Sequence, residues 1–87
     1  METKFETKNG ELYIDGQKVI KAWESYTGWY WFGVRYEDDG DDRIWYGLVQ
    51  GFENEWGYWS EKELKELMKE LKVWEIRKKD LPFAGRR

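Results

Sequence analysis

Trp29-Tyr30-Trp31-Phe32-Gly33-Val34-Arg35-Tyr36 leads into an acidic hinge, Asp38-Asp39-Gly40-Asp41-Asp42, and returns as Ile44-Trp45-Tyr46-Gly47-Leu48-Val49. Alternation with a period of two on both arms reads as a β-hairpin. A third arm, Trp56-Gly57-Tyr58-Trp59, follows a turn at Phe52-Glu53-Asn54-Glu55. Paired even with even, the hairpin puts Tyr30, Phe32, Val34, Tyr36, Ile44, Tyr46 and Leu48 on one continuous apolar face. The opposite face then holds Trp29, Trp31, Arg35, Trp45 and Val49 around Gly33, Gly47 and Gly51. A slip of one residue would mix the two sets, because side chains alternate strictly along a strand. The unmixed register is preferred because it segregates the faces.

Upstream, Asn9-Gly10 and Asp15-Gly16 are the dipeptides that two-residue hairpin turns demand. They join Lys4–Lys8, Leu12–Ile14 and an alternating run Gln17–Ser25 into an antiparallel meander. Ser25, Thr27 and Gly28 break the pattern before Trp29. Downstream, Ser60 and Glu63 have the spacing of a helix cap, and Leu64, Leu67, Met68 and Leu71 make one apolar stripe. The spacing predicts a helix over 60–72. Val73–Arg77 alternates as a last strand, and Pro82 ends regular structure. The expected architecture is α+β: a curved antiparallel sheet of five to seven strands with the helix on one face, as a single domain over 1–87. Residues 84–87 are expected to form a flexible basic tail.

Composition narrows the function classes. The chain has 87 residues, 20% of them aromatic, a net charge of −3, no cysteine and no histidine. That removes disulfides, zinc sites of the usual ligands and every imidazole-based triad. No apolar run has the length of a membrane span, and the start lacks the apolar segment of a signal peptide. A cytoplasmic protein without a cofactor or metal is expected. Scarce Asn, Gln and Met beside abundant Glu and Lys lean towards thermophile composition. The net acidity disfavours general nucleic-acid binding, which needs clustered basic residues.

One short helix covers one face of a sheet, and antiparallel sheets usually leave the other polar. Here the other face would carry tryptophans. It closes through curvature, meets a partner or second copy, or binds a ligand. Trp29, Trp31, Arg35 and Trp45 are the candidate binding residues, since Trp, Tyr and Arg anchor interfaces. Gly33 opposite Gly47 would leave a flat slot between Trp31 and Trp45, and Arg35 could stack on Trp45. The alternative reading of these glycines is that they let a strongly twisted sheet bend. Glu53 and Glu55, two apart in an extended segment, would stand about 7 Å apart, within the range of a glycosidase pair. The plainer reading is a solvated turn, and the Asp-rich hinge reads as a solvated tip without the spacing of an EF-hand loop.

Trp29-Tyr30-Trp31, Asp42-Arg43 with Tyr46-Gly47-Leu48-Val49, Gly51-Phe52-Glu53, Glu55-Trp56-Gly57-Tyr58-Trp59-Ser60 with Glu63-Leu64, and Ile76-Arg77 with Asp80-Leu81 before Phe83 together show a particular aromatic–glycine spacing. Over about Val19–Phe83 this pattern resembles a family of small proteins of unknown function encoded on plasmids, conjugative elements and related mobile DNA. The resemblance implies a link with mobile elements or viruses, and it implies no activity or catalytic residue. Members tend to have an extra loop and glycine after the helix, where this chain runs directly Leu71-Lys72-Val73. The leading expectation is a non-enzymatic module that binds a protein partner, or itself, through the aromatic face. The alternative is single-stranded nucleic-acid binding by Trp29, Trp31, Trp45 and the basic tail, with a carboxylate hydrolase third.

Overall fold

Asn9 and Asp15 adopt φ of 52° and 49°, and the glycines after them 76° and 80°. These are the paired left-handed residues of type I′ turns, so both expected hairpins form. In the computed structural model, which describes residues 3–70 and 73–85, they link β1 (Phe5–Lys8), β2 (Glu11–Ile14) and β3 (Gln17–Lys18) into a small antiparallel sheet. The third expected strand, Gln17–Ser25, is divided. The Val19 N–H still donates to the Leu12 carbonyl at 2.9 Å, whereas the Ile20 N–H donates to the Gly33 carbonyl at 2.8 Å. Between those two residues the chain leaves one sheet for another. The first hairpin is therefore a separate layer rather than the edge of a single curved sheet.

The main sheet contains β4 (Lys21–Ser25), β5 (Tyr30–Asp39), β6 (Asp42–Gln50), β7 (Asn54–Ser60) and β8 (Val73–Glu75), in the order β7-β6-β5-β4-β8. Strands β4 to β7 form a meander, and β8 pairs antiparallel with β4. That makes β7 and β8 parallel strands on opposite edges, and such strands require a crossover. Helix α1 (Glu61–Glu70) supplies it. Ser60 caps the helix, its hydroxyl accepting the Glu63 N–H at 3.1 Å. Asp42 of the hinge adds a second acceptor, taking the Lys62 N–H at 2.9 Å. The expected continuation of the helix through Leu71 and Lys72 lies outside the described residues.

Both faces of the main sheet are covered. On one, Leu64, Leu67 and Met68 of α1 pack with Trp23, Trp31, Trp45, Trp59 and Val73. On the other, Leu12, Ile14 and Val19 of the small sheet meet Ala22, Phe32, Val34 and Leu48, joined by Ile76, Leu81 and Ala84 from the C-terminal segment. Strand β4 shows the layering in two adjacent residues, with Ala22 in one core and Trp23 in the other. A 3-10 turn (Leu81–Phe83) holds that last segment. Of the stretch 84–87 expected as a tail, Ala84 and Gly85 are buried, with Gly85 backed onto the Phe32 ring; 86 and 87 lie outside the described residues.

Candidate functional site

The hairpin register explains what becomes of the four expected binding residues. Phe32 faces Leu48 and Gly33 faces Gly47, so the unmixed pairing holds over the first half. Val34 is then skipped, and Arg35 pairs with Tyr46 and Tyr36 with Trp45. This bulge exchanges the faces of β5 beyond it. Arg35 therefore leaves the tryptophan face. Its guanidinium stacks on Tyr46, 4.0 Å from the ring centroid, rather than on Trp45. Tyr36 takes its place beside Trp45, with centroids 4.9 Å apart.

Trp45 is 1% exposed and lies beneath α1. The flat slot over the glycines is filled from within. A Cβ on Gly33 would stand 2.3 Å from the Trp45 ring, and one on Gly47 would lie 2.9 Å from the Trp59 ring. Trp23 completes this packing edge-on, with centroids 5.5 Å from Trp45 and 6.1 Å from Trp59. Among these three rings Trp45 is oriented by a hydrogen bond, its Nε1 donating to Glu61 Oε1 at 2.8 Å. Trp23 and Trp59 bury their Nε1 atoms with no acceptor among the described residues.

Glu61 also meets Lys21 at 3.6 Å and Lys65 at 3.2 Å. Burial pushes its carboxyl up, but the Trp45 indole and the two ammonium groups outweigh that and hold it below the usual glutamate range. Asp42 is held low by the Ser60 hydroxyl, then by the Lys62 N–H. Asp41 is held low by Lys62, 2.8 Å away. The acidic hinge thus turns part of its charge onto the positive end of the helix. Depressed carboxylates bind protons more readily in the unfolded chain, so stability should rise with pH through the acid range. It should be complete above about pH 5, where the unfolded carboxylates are also ionised, and be lost as pH falls through the lower folded values. Urea midpoints measured from pH 7 to pH 2.5 should show that slope, and Glu61→Gln should flatten it. An unchanged midpoint across the range would contradict the assignment. No group of three or more acidic side chains placed to hold a metal occurs among the described residues.

Among the described residues, two aromatic clusters stay open besides Tyr36, on which Arg43 stacks. Trp29 and Trp31 are half-buried, their centroids 6.2 Å apart at the end of the helix-covered face. Phe52, 95% exposed, meets Trp29 edge-on at 5.4 Å. Both rings, with Val49, Gly51, Glu53 and Glu55, line a shallow groove of about 310 Å³. Glu53 lies in the turn and Glu55 on β7, so the two do not sit on one extended segment. Among the described residues, no further titratable side chain lines that groove.

Of the second cluster, only Arg35 was among the sequence candidates. On the opposite face, Tyr46 stacks with Trp56 at 5.9 Å and 20°, touches Tyr58 at 4.9 Å, and carries Arg35 above it. Tyr58 is 69% exposed. The small sheet and the C-terminal turn cover the middle of this face, and these residues mark where the cover stops. The alternation of Trp56 and Tyr58 around Gly57 was the available signal. Their importance comes from β7 being an edge, which only the strand order reveals. Other exposed apolar residues, such as Ile20, Trp74 and Phe83, are scattered, as on ordinary surfaces. The chain is thus a small α+β domain with exposed aromatic clusters on its sheet. Comparison with known proteins finds no family, curated protein or solved structure that matches it.

Proposed function

We propose that the chain is a non-enzymatic interaction module of a mobile element or virus, working in the cytoplasm, and that it binds protein through the Arg35–Tyr46–Trp56–Tyr58 surface. The observation that carries this is the stack itself: an arginine on a tyrosine, flanked by a half-buried tryptophan and an exposed tyrosine, beside the free edge of β7. Those residue types dominate binding energy in protein interfaces, where surrounding near-neutral contacts keep water out. The two carboxylates nearest the other cluster, Glu53 and Glu55, and the chain's net charge of −3 oppose a phosphate backbone.

Oxidative footprinting tests the surface without naming the partner. Tyr46, Trp56 and Tyr58 should react less in an extract of cells that express the chain than in the isolated protein at low concentration. Tyr26 and Phe83, both exposed elsewhere, should react equally in both. Tyr58 labelling as freely in the extract as alone would overturn the proposal. Protection that vanishes on nuclease treatment, with salt-sensitive tryptophan quenching by oligonucleotides, would replace it with single-strand binding.

A further inference from the structure

The occupant of the β7 edge can be read from β7 itself. Natural edge strands are blunted by lysine, proline, a bulge or short length. β7 runs seven residues without lysine or proline and with a single charge, Glu55, and it pairs with β6 without a shift in register. The other edge, β8, is only three residues long. An edge of this length, with no strand beside it on its outer side among the described residues, can offer its backbone groups to another strand.

We infer that the partner strand is β7 of a second copy, paired antiparallel about a two-fold axis at Gly57. The inference rests on the reading of this edge as an interaction surface and adds the identity of what covers it. The sequence Asn54-Glu55-Trp56-Gly57-Tyr58-Trp59-Ser60 complements itself in that register. Trp56 falls opposite Tyr58 of the second copy, and by symmetry Tyr58 opposite its Trp56. Directly opposed aromatic pairs stabilise antiparallel strands. Asn54 falls opposite Ser60. Glu55, the one charged residue of β7, falls opposite Trp59 and so never meets another carboxylate. Gly57 faces Gly57, leaving the axis clear on the side where neither copy has a side chain.

A two-fold perpendicular to the sheet keeps faces matched, because each residue on one face meets a residue of the same face. The Tyr46–Trp56 and Tyr46–Tyr58 contacts of one copy then run on into those of the other, as one aromatic band across two five-stranded sheets. The interface is isologous and closed, so it caps both edges and cannot propagate into a fibre. It is the kind of contact that removes an edge rather than extending it.

Gly57 provides the test, because a Cβ there would meet nothing within 4 Å and its φ is not left-handed. The isolated fold therefore accepts side chains at that position. Sedimentation of the wild-type chain should show a monomer–dimer equilibrium. Gly57→Glu and Gly57→Lys should each raise the dissociation constant at least about 100-fold, since each sets like charges face to face on the axis. Mixing the two variants should restore a dimer containing one of each. In this cysteine-free chain, Gly57→Cys should form a disulfide-linked dimer under mild oxidation, because directly opposed Cβ atoms lie close to bridging distance. Asn54→Cys, which faces Ser60 and not itself, should not. A wild-type chain that stays monomeric at about millimolar concentration, or a dimer indifferent to both charged variants, would overturn the pairing. In that event the footprint of Tyr58 in extract still decides the surface reading separately.

Discussion

Trp45→Ala is expected to destabilise the fold by about 3–5 kcal/mol, the range for removing a fully buried tryptophan. The side chain is 1% exposed, covers the bare backbone of Gly33 and donates to Glu61. Truncation opens a cavity between α1 and the sheet and leaves the Glu61 carboxylate, already largely withdrawn from water, without its indole partner. For a ligand-binding Trp45 the variant would keep its urea midpoint and lose only binding. Chemical denaturation separates the two outcomes directly. A midpoint within about 0.5 kcal/mol of wild type, the usual range for surface changes, would return Trp45 to the solvent side.

The second large effect follows from a row of glycines that crosses the sheet from β5 to β7. Gly33 pairs with Gly47, and Gly47 with Gly57. The three differ sharply in what a methyl group would meet. At Gly47 it would stand 1.8 Å from the Phe32 carbonyl oxygen, an atom of the backbone that has little room to move. At Gly33 it would press on the Trp45 ring at 2.3 Å. At Gly57 it would meet open space. Gly47→Ala should cost about 3 kcal/mol or more, the upper end for overpacking, because the bulge beside it must reopen. Gly33→Ala should fall lower, since a ring can tilt where a carbonyl cannot. Gly57→Ala should stay within about 0.5 kcal/mol of wild type. Thermal or urea denaturation of the three alanine variants checks the order. Equal costs would mean that the glycines serve only strand flexibility.

How much of this could be read beforehand depended on whether the signal was local. The two type I′ turns were legible because Asn9-Gly10 and Asp15-Gly16 state their own backbone angles. The helix was legible because its stripe and cap repeat within one segment. The aromatic hairpin and the α+β class followed from alternation alone. The change of sheet at Val19–Ile20 left no trace, because alternation continues across it. The bulge at Val34 was hidden for a related reason: both faces of the hairpin carry aromatic rings, so Arg35 finds a ring to stack on in either parity. That slip moved Arg35 from Trp45 to Tyr46 and with it the centre of the candidate surface. The face chosen by α1 was equally hidden, since it depends on β8 reaching β4 across the sheet. Coverage reasoned from one helix overlooked that the first hairpin could act as a second lid. Trp29 and Trp31 are half-buried, Trp45 is enclosed, and the Tyr46–Trp56–Tyr58 cluster emerges only from the strand order.

Hydrogen exchange of the seven indole N–H groups, followed by NMR on the isolated chain, tests most directly that the helix-covered tryptophan face is interior. The Trp45 Nε1 proton, buried and bonded to Glu61, should exchange only when the whole domain opens, together with the slowest backbone amides. Trp23 and Trp59, whose Nε1 atoms are also buried, should follow it. A Trp45 signal that exchanges as fast as a free indole would place that face in solvent and contradict the account.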